Sequence, residues 1–82
     1  MNSILGIYDE LYEKQMGKCA ICGADQNNLS KSLCLDHNHK DGTIRGLLCQ
    51  NCNLALGLFQ DDIEILNKAI NYLKFFNEIN KK

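Results

Sequence analysis

Five cysteines and two histidines stand out in this 82-residue chain. Cys19, Cys22, Cys49 and Cys52 form two Cys-x-x-Cys pairs with 26 residues between them, and Cys34 stands alone in the gap. An odd cysteine count without a secretory signal argues against a disulfide framework. A redox Cys-x-x-Cys ordinarily occurs once, near a βαβ pattern, and no such pattern is visible. Four thiolates around a tetrahedral structural zinc are the reading that remains. The gap exceeds the roughly 15–20 residues of common zinc ribbons, so an extra element is expected between the two knuckles. Cys34 is expected to be a packed, inert thiol.

Both histidines fall inside the gap, in Asp36-His37-Asn38-His39, and Asn53 directly follows Cys52. A zinc that clamps the second knuckle would also fix Asn53, and could bring it towards Asp36 across the inserted element. A carboxylate and an amide oxygen are hard ligands, suited to Mg²⁺ or Mn²⁺ with open water positions. A neutral histidine beside such an ion can take a proton from water while the cation stabilises charge on a phosphoryl oxygen. Those parts would hydrolyse a phosphodiester. Consecutive strand residues point to opposite faces, so Asp36 and His37 share a site only where the strand bends or ends. Plainer readings stand beside this one. Asp36, His37 and His39 could be hairpin-turn residues or extra ligands in a zinc module, and Asn53 a helix N-cap.

The elements that must position these residues are legible from periodicity. Apolar residues at three- and four-residue spacings predict a leading helix over 4–16, including Ile4, Leu5, Tyr8, Leu11, Tyr12 and Met16, with Gly17 ending it. Residues 24–32 are polar and read as a loop. Leu33-Cys34-Leu35-Asp36 and Thr43-Ile44-Arg45-Gly46-Leu47-Leu48 read as two strands around an Asp41-Gly42 turn, so the inserted element is a β-hairpin. Asn53-Leu-Ala-Leu-Gly57 reads as a short helix. A C-terminal helix is predicted over 62–79, with Asp61 as N-cap and Glu64 three residues on. Its apolar face is wide, and two readings are open: it packs on the zinc core, or Phe75, Phe76 and Ile79 form a dimer interface. Lys81-Lys82 reads as a frayed end.

Length and composition narrow the classes. The chain allows one domain, 1–82, and at this size an apolar core alone is marginal, so a staple is expected. Hydrophobic residues make up 45% and charged residues 23%, which is not a disordered composition. No apolar run reaches the length of a membrane span, and the N-terminus lacks signal-peptide character, so a cytoplasmic protein is expected. Net charge is −1. Residues 1–13 carry −3, residues 14–53 carry +2 and the remainder balances. A protein that grips DNA through many phosphates should be basic, so any DNA affinity is expected to be weak and salt-sensitive, or helped by a dimer or partner.

The motifs together are specific. Leu33-Cys-Leu-Asp-His-Asn-His39, Gly42-Thr-Ile-Arg-Gly-Leu-Leu-Cys49-x-x-Cys52-Asn53 and Leu56-Gly-Leu-Phe-x-Asp-Asp62 closely resemble the recombination endonuclease VII family of phages. Tyr12-x-x-Gln15-x-Gly17-x-Cys19-Ala-Ile-Cys22-Gly23 resembles that family's leading helix and first knuckle, and the likeness covers roughly residues 8–74. The resemblance implies a small α+β fold of HNH (His-Me finger, ββα-metal) type, its hairpin inserted in a four-cysteine zinc site over residues 17–53. It implies zinc at Cys19, Cys22, Cys49 and Cys52, a catalytic Mg²⁺ or Mn²⁺ at Asp36 and Asn53, and His37 as general base. His39 would position or polarise the scissile phosphate, or brace another group. Arg45 and Lys40 are the candidate nucleic-acid contacts, with bracing of the hairpin or plain solvation as alternatives for Arg45. The implied partner is DNA, branched, flexible or duplex, and the implied source a phage or prophage. Junction-resolving members carry a further C-terminal region, so nicking by a monomer or small dimer is expected here. The competing class is a non-catalytic zinc-stapled module that binds nucleic acid or protein.

Overall fold

The computed structural model describes residues 4–79. Three helices and one two-stranded antiparallel hairpin follow one another: α1 (Ile4–Lys14), β1 (Cys34–His37), β2 (Ile44–Leu48), α2 (Gln50–Leu58) and α3 (Ile63–Ile79). A single 3₁₀ turn, Gln26–Asn28, interrupts the polar loop, with the Asp25 side chain accepting from the Asn27 N–H at its start. The side chains of Ile4, Leu5 and Ile79, and the Lys81-Lys82 end, lie outside the described residues.

α1 is two residues shorter than its apolar pattern suggests. The Met16 N–H bonds Glu13 O and the Gly17 N–H bonds Tyr12 O, closing the helix with left-handed residues at Met16 (φ 56°) and Gly17 (φ 69°). Met16 is thereby turned out and is 77% exposed, rather than part of the apolar stripe. Glycine is required at 17 on two counts, the positive φ and the Tyr12 ring, which lies 3.0 Å from where a Cβ would sit.

The core forms around the cysteines. Cys19, Leu33, Leu47, Leu48 and Cys49 are buried, with Tyr8, Leu11, Tyr12, Leu35 and Leu56 packed against them. Gln15 ties α1 to the hairpin: its Nε2 donates to Leu47 O at 3.0 Å and Lys18 O at 2.7 Å, and its Oε1 accepts from the Leu47 N–H at 2.9 Å. These bonds satisfy the outward-facing backbone of β2 as a further strand would.

Between the strands, Cys34 faces Leu48, Leu35 faces Leu47 and Asp36 faces Gly46, after which the register slips and His37 faces Ile44. Arg45 is the extra residue, so a β-bulge falls at Asp36/His37. The hairpin tip closes through Gly42 N–H to Asn38 O and Asn38 N–H to Thr43 O, both 2.7 Å.

The long α3 departs from the expectation that it packs on the zinc core. Ile63, Ile70, Tyr72, Leu73, Phe75 and Phe76 are exposed, while Ile65, Leu66 and Ala69 are half-buried. The helix projects from the body, giving extents of 52 × 31 × 19 Å and a radius of gyration of 15.4 Å. A compact chain of this length would have a radius of about 12 Å. The N-cap is also shifted by one residue: Asp62, not Asp61, accepts from the N–H groups of Glu64 at 2.8 Å and Ile65 at 3.2 Å.

Candidate metal centre and active cleft

The ligand atoms of Cys19, Cys22, Cys49 and Cys52 all lie within 4.8 Å of one another, and the Sγ atoms of Cys22 and Cys49 are 3.7 Å apart. Zinc at the usual ~2.3 Å from four sulfurs sets them about 3.8 Å apart, so the cluster has the dimensions of a four-thiolate zinc site. Backbone amides are aimed at the sulfurs: the Ile21 N–H points to Cys19 Sγ and the Cys52 N–H to Cys49 Sγ, each at 3.4 Å. Cys49 also serves as the N-cap of α2, so this helix begins at Gln50, three residues before its apolar pattern. Asn53 therefore sits inside the first turn and is not a cap, because Cys49 already fills that role.

The electrostatics of the cluster call for a cation. Burial pushes the Cys19 thiol up, but N–H groups of Cys49, Cys22 and Ile21 outweigh it and bring Cys19 down to about 6. Burial, together with the neighbouring thiols, pushes Cys52 up to about 12. One thiolate forms readily and the next charges are resisted, which is the imbalance a divalent cation removes. Cys34 lies half-buried in β1, outside the four.

Next to this centre, Asp36, His37, His39 and Asn53 line one cleft of about 280 Å³ with Leu35, Leu54, Gly57 and Leu58. The bulge sits at the point where the alternation of Asp36 and His37 would otherwise separate them. Asp36 is buried and His37 exposed, yet both reach this cleft. The rings of His37 and His39 are 4.9 Å apart and tilted by 55°. A larger cleft of about 770 Å³ adjoins it, reached by His39, Lys40, Arg45, Asp61, Asp62 and Glu64 among others. His39 and Gly57 line both, so His39 stands at the boundary.

Arg45 is partly exposed, but its guanidinium is engaged by two carboxylates. Its Nε donates to Asp36 Oδ2 at 2.7 Å and its Nη2 to Asp36 Oδ1 at 3.1 Å, while Nη2 also donates to Asp61 Oδ2 at 3.2 Å. The Asp36 carboxylate raises the already high pKa of this guanidinium. Asp36, at 6% exposure, is a buried anion whose charge is compensated by this pairing. A carboxylate offers about four lone-pair positions, so Asp36 retains capacity for a divalent cation, and the Asn53 amide in the same cleft adds a second hard oxygen. The donor set fits Mg²⁺ or Mn²⁺.

A family model for recombination endonuclease VII matches residues 2–75, nearly the whole chain. The chain belongs to the recombination endonuclease VII family. Among curated proteins, the Gene 59 protein of Mycobacterium phage D29 is 48% identical over 68 residues, which cover 82% of this chain and 41% of that protein. The Gene 59 protein of Mycobacterium phage L5 is 48% identical over 67 residues, covering 80% and 40% respectively. The chain thus spans about two fifths of the length of these relatives. Among the described residues, no helix is long and apolar enough to cross a membrane.

Two residues important to this region escape a reading of the sequence. Gln15 acts through backbone groups 32 residues away, and Asp61 through Arg45, 16 residues away. Neither type nor spacing signals such contacts, although both residues fall within the family motifs.

Proposed function

We propose that this chain is a metal-dependent DNA endonuclease of the HNH (His-Me finger, ββα-metal) type, hydrolysing phosphodiester bonds by nicking or in a structure-selective way. The observation that supports this reading is the shared cleft of Asp36, His37, His39 and Asn53, with the hairpin on one side and α2 on the other. In this reading residues 1–82 act as one domain, and zinc at the four cysteines holds the second knuckle and hence the start of α2. Asp36 and Asn53 hold Mg²⁺ or Mn²⁺, which when bound stabilises negative charge on the scissile phosphoryl group. His37, exposed at the cleft, accepts the proton of the attacking water. His39, at the boundary of the two clefts, orients the phosphate, and Lys40 at the exposed hairpin tip meets the backbone beyond it. The substrate is DNA in the host cell of a phage or prophage, and the exposed apolar face of α3 is the surface through which two copies would pair.

A second reading has its own support. Arg45 donates to both oxygens of Asp36, as a purely structural ion pair would, and the chain's net charge is −1. A non-catalytic zinc-stapled binding module accounts for both facts. Supercoiled plasmid incubated with the zinc-loaded protein separates the two readings. Nicking that requires Mg²⁺ or Mn²⁺, and stops with EDTA and with His37→Ala, supports the enzyme. Inertness with either ion, on plasmid and on branched DNA alike, leaves the binding module.

A further inference from the structure

α2 ends as α1 does, but with a different residue at the decisive place. The Gln60 N–H bonds Gly57 O at 2.9 Å and the Asp61 N–H bonds Leu56 O at 2.8 Å, the same pair of bonds that closes α1. At the end of α1 the second left-handed residue is Gly17. At the end of α2 it is Asp61, with φ 53°, following Gln60 at φ 60°. Left-handed backbone is the conformation glycine adopts most easily, and Asp and Asn are among the few other residues that visit it. Asp61 does not serve as the α3 cap, since Asp62 does. Its Oδ2 instead accepts from Arg45 Nη2 at 3.2 Å, the same nitrogen that donates to Asp36 Oδ1.

We propose that Asp61 is a positioning residue for Asp36, acting through Arg45: the two carboxylates share one guanidinium, and Asp61 retains it when a divalent cation takes Asp36. The inference rests on the reading of Asp36 as a cation ligand. A guanidinium and a divalent cation on a single carboxylate repel each other, and with one anion between them each weakens the other. A second anion in contact with the guanidinium relieves that competition. The left-handed turn fixes where this second anion stands, and its side chain is only 21% exposed, so the interaction is partly shielded from solvent. Groups that act on a metal through its ligands typically change affinity by about 10–100-fold.

The test is Mn²⁺ binding by the zinc-loaded 82-residue chain, followed by calorimetry and by the electron paramagnetic resonance of free Mn²⁺. Asp61→Asn removes the charge and keeps a residue that tolerates left-handed backbone, so folding is preserved. It is expected to weaken Mn²⁺ by about 10-fold with zinc content unchanged, and Asp61→Glu to recover much of the loss. In an Arg45→Gln background the competitor is gone, and Asp61→Asn should then have little further effect. Unchanged Mn²⁺ affinity in Asp61→Asn overturns the proposal. So does an equal loss with and without Arg45, which would mean that Asp61 acts on the ion directly through space. Asp36→Asn tells the two layers apart. If it abolishes Mn²⁺ binding while Asp61→Asn leaves it intact, only the role of Asp61 fails; if wild type binds no Mn²⁺, the cation-site reading fails and takes this proposal with it.

Discussion

On the proposed reading, removing the His37 imidazole would take away the proton acceptor and leave the four cysteines and the proposed cation ligands Asp36 and Asn53 in place. The ring is exposed and stacks obliquely on His39, so its loss leaves no buried cavity. His37→Ala is expected to lower the nicking rate by a factor on the order of 10²–10⁴ while zinc content and melting temperature stay at wild-type values. A variant that nicks within a few-fold of wild type would assign proton transfer to another group. Cys34 provides the complementary case. It is a half-buried thiol in β1 outside the four-sulfur cluster, so Cys34→Ser should still bind one zinc per chain, as a colorimetric zinc assay would read. Cys52→Ser, by contrast, removes a ligand and should release the metal. Loss of zinc in Cys34→Ser would require a different ligand set.

At the scale of elements, α1 is coupled to the hairpin by a side chain that imitates a strand. Gln15→Ala deprives the Leu47 N–H of its partner, while Leu47 O loses one of two donors and keeps the Ala20 N–H at 3.0 Å. Leaving a buried backbone N–H unsatisfied costs about 1–3 kcal/mol, so denaturant unfolding should show a loss of that size, with Leu47 fully buried and solvent unable to compensate. An effect near zero would mean that α1 is held by Tyr8, Leu11 and Tyr12 alone. The existence of α1, the hairpin, α2 and α3 was legible in the sequence, since each rests on local periodicity and on turn residues such as Gly17 and Asp41-Gly42. The four-cysteine cluster was equally legible, because its chemistry is written in residue type and spacing. The bulge at Arg45 was not, because register is a relation between two strands and period 2 fixes it only to within such a slip. For the same reason Arg45 was readable as cationic but not as the partner of Asp36 and Asp61. α3 illustrates a different gap: an amphipathic pattern states that a face is apolar, and carries nothing about what covers it.

For the whole molecule, shape and charge set what the remaining surface can do. Arg45 is already paired with two carboxylates, which reduces the positive charge available to phosphates near the cleft. Each phosphate neutralised contributes about 0.9 to the slope of log K against log salt, so with Arg45 already paired duplex binding should be weak and its slope shallow, less salt-sensitive than the sequence suggests, and tight binding with a steep slope would contradict this picture. Stability has a similar dependence on few groups. Leu33, Leu47 and Leu48 are the buried aliphatic side chains among the described residues, and each contributes roughly 1.5–3 kcal/mol. A structural zinc is worth about 10–16 kcal/mol in apparent binding free energy, enough to dominate the balance. Chelation should therefore unfold the hairpin and α2, read as loss of far-ultraviolet circular dichroism and recovered on adding zinc. The pH dependence follows from the same thiolates. Bound to zinc they are deprotonated, whereas in the unfolded chain they hold protons below about pH 8.5. The unfolded state thus binds more protons at neutral pH, and stability of the zinc form must rise with pH and fall on acidification. Melting temperature should fall steadily from about pH 8 to pH 5 together with release of zinc to an indicator dye. A flat profile over that range, or a chelated protein that keeps its helices, would mean that the four cysteines fold the chain without the metal.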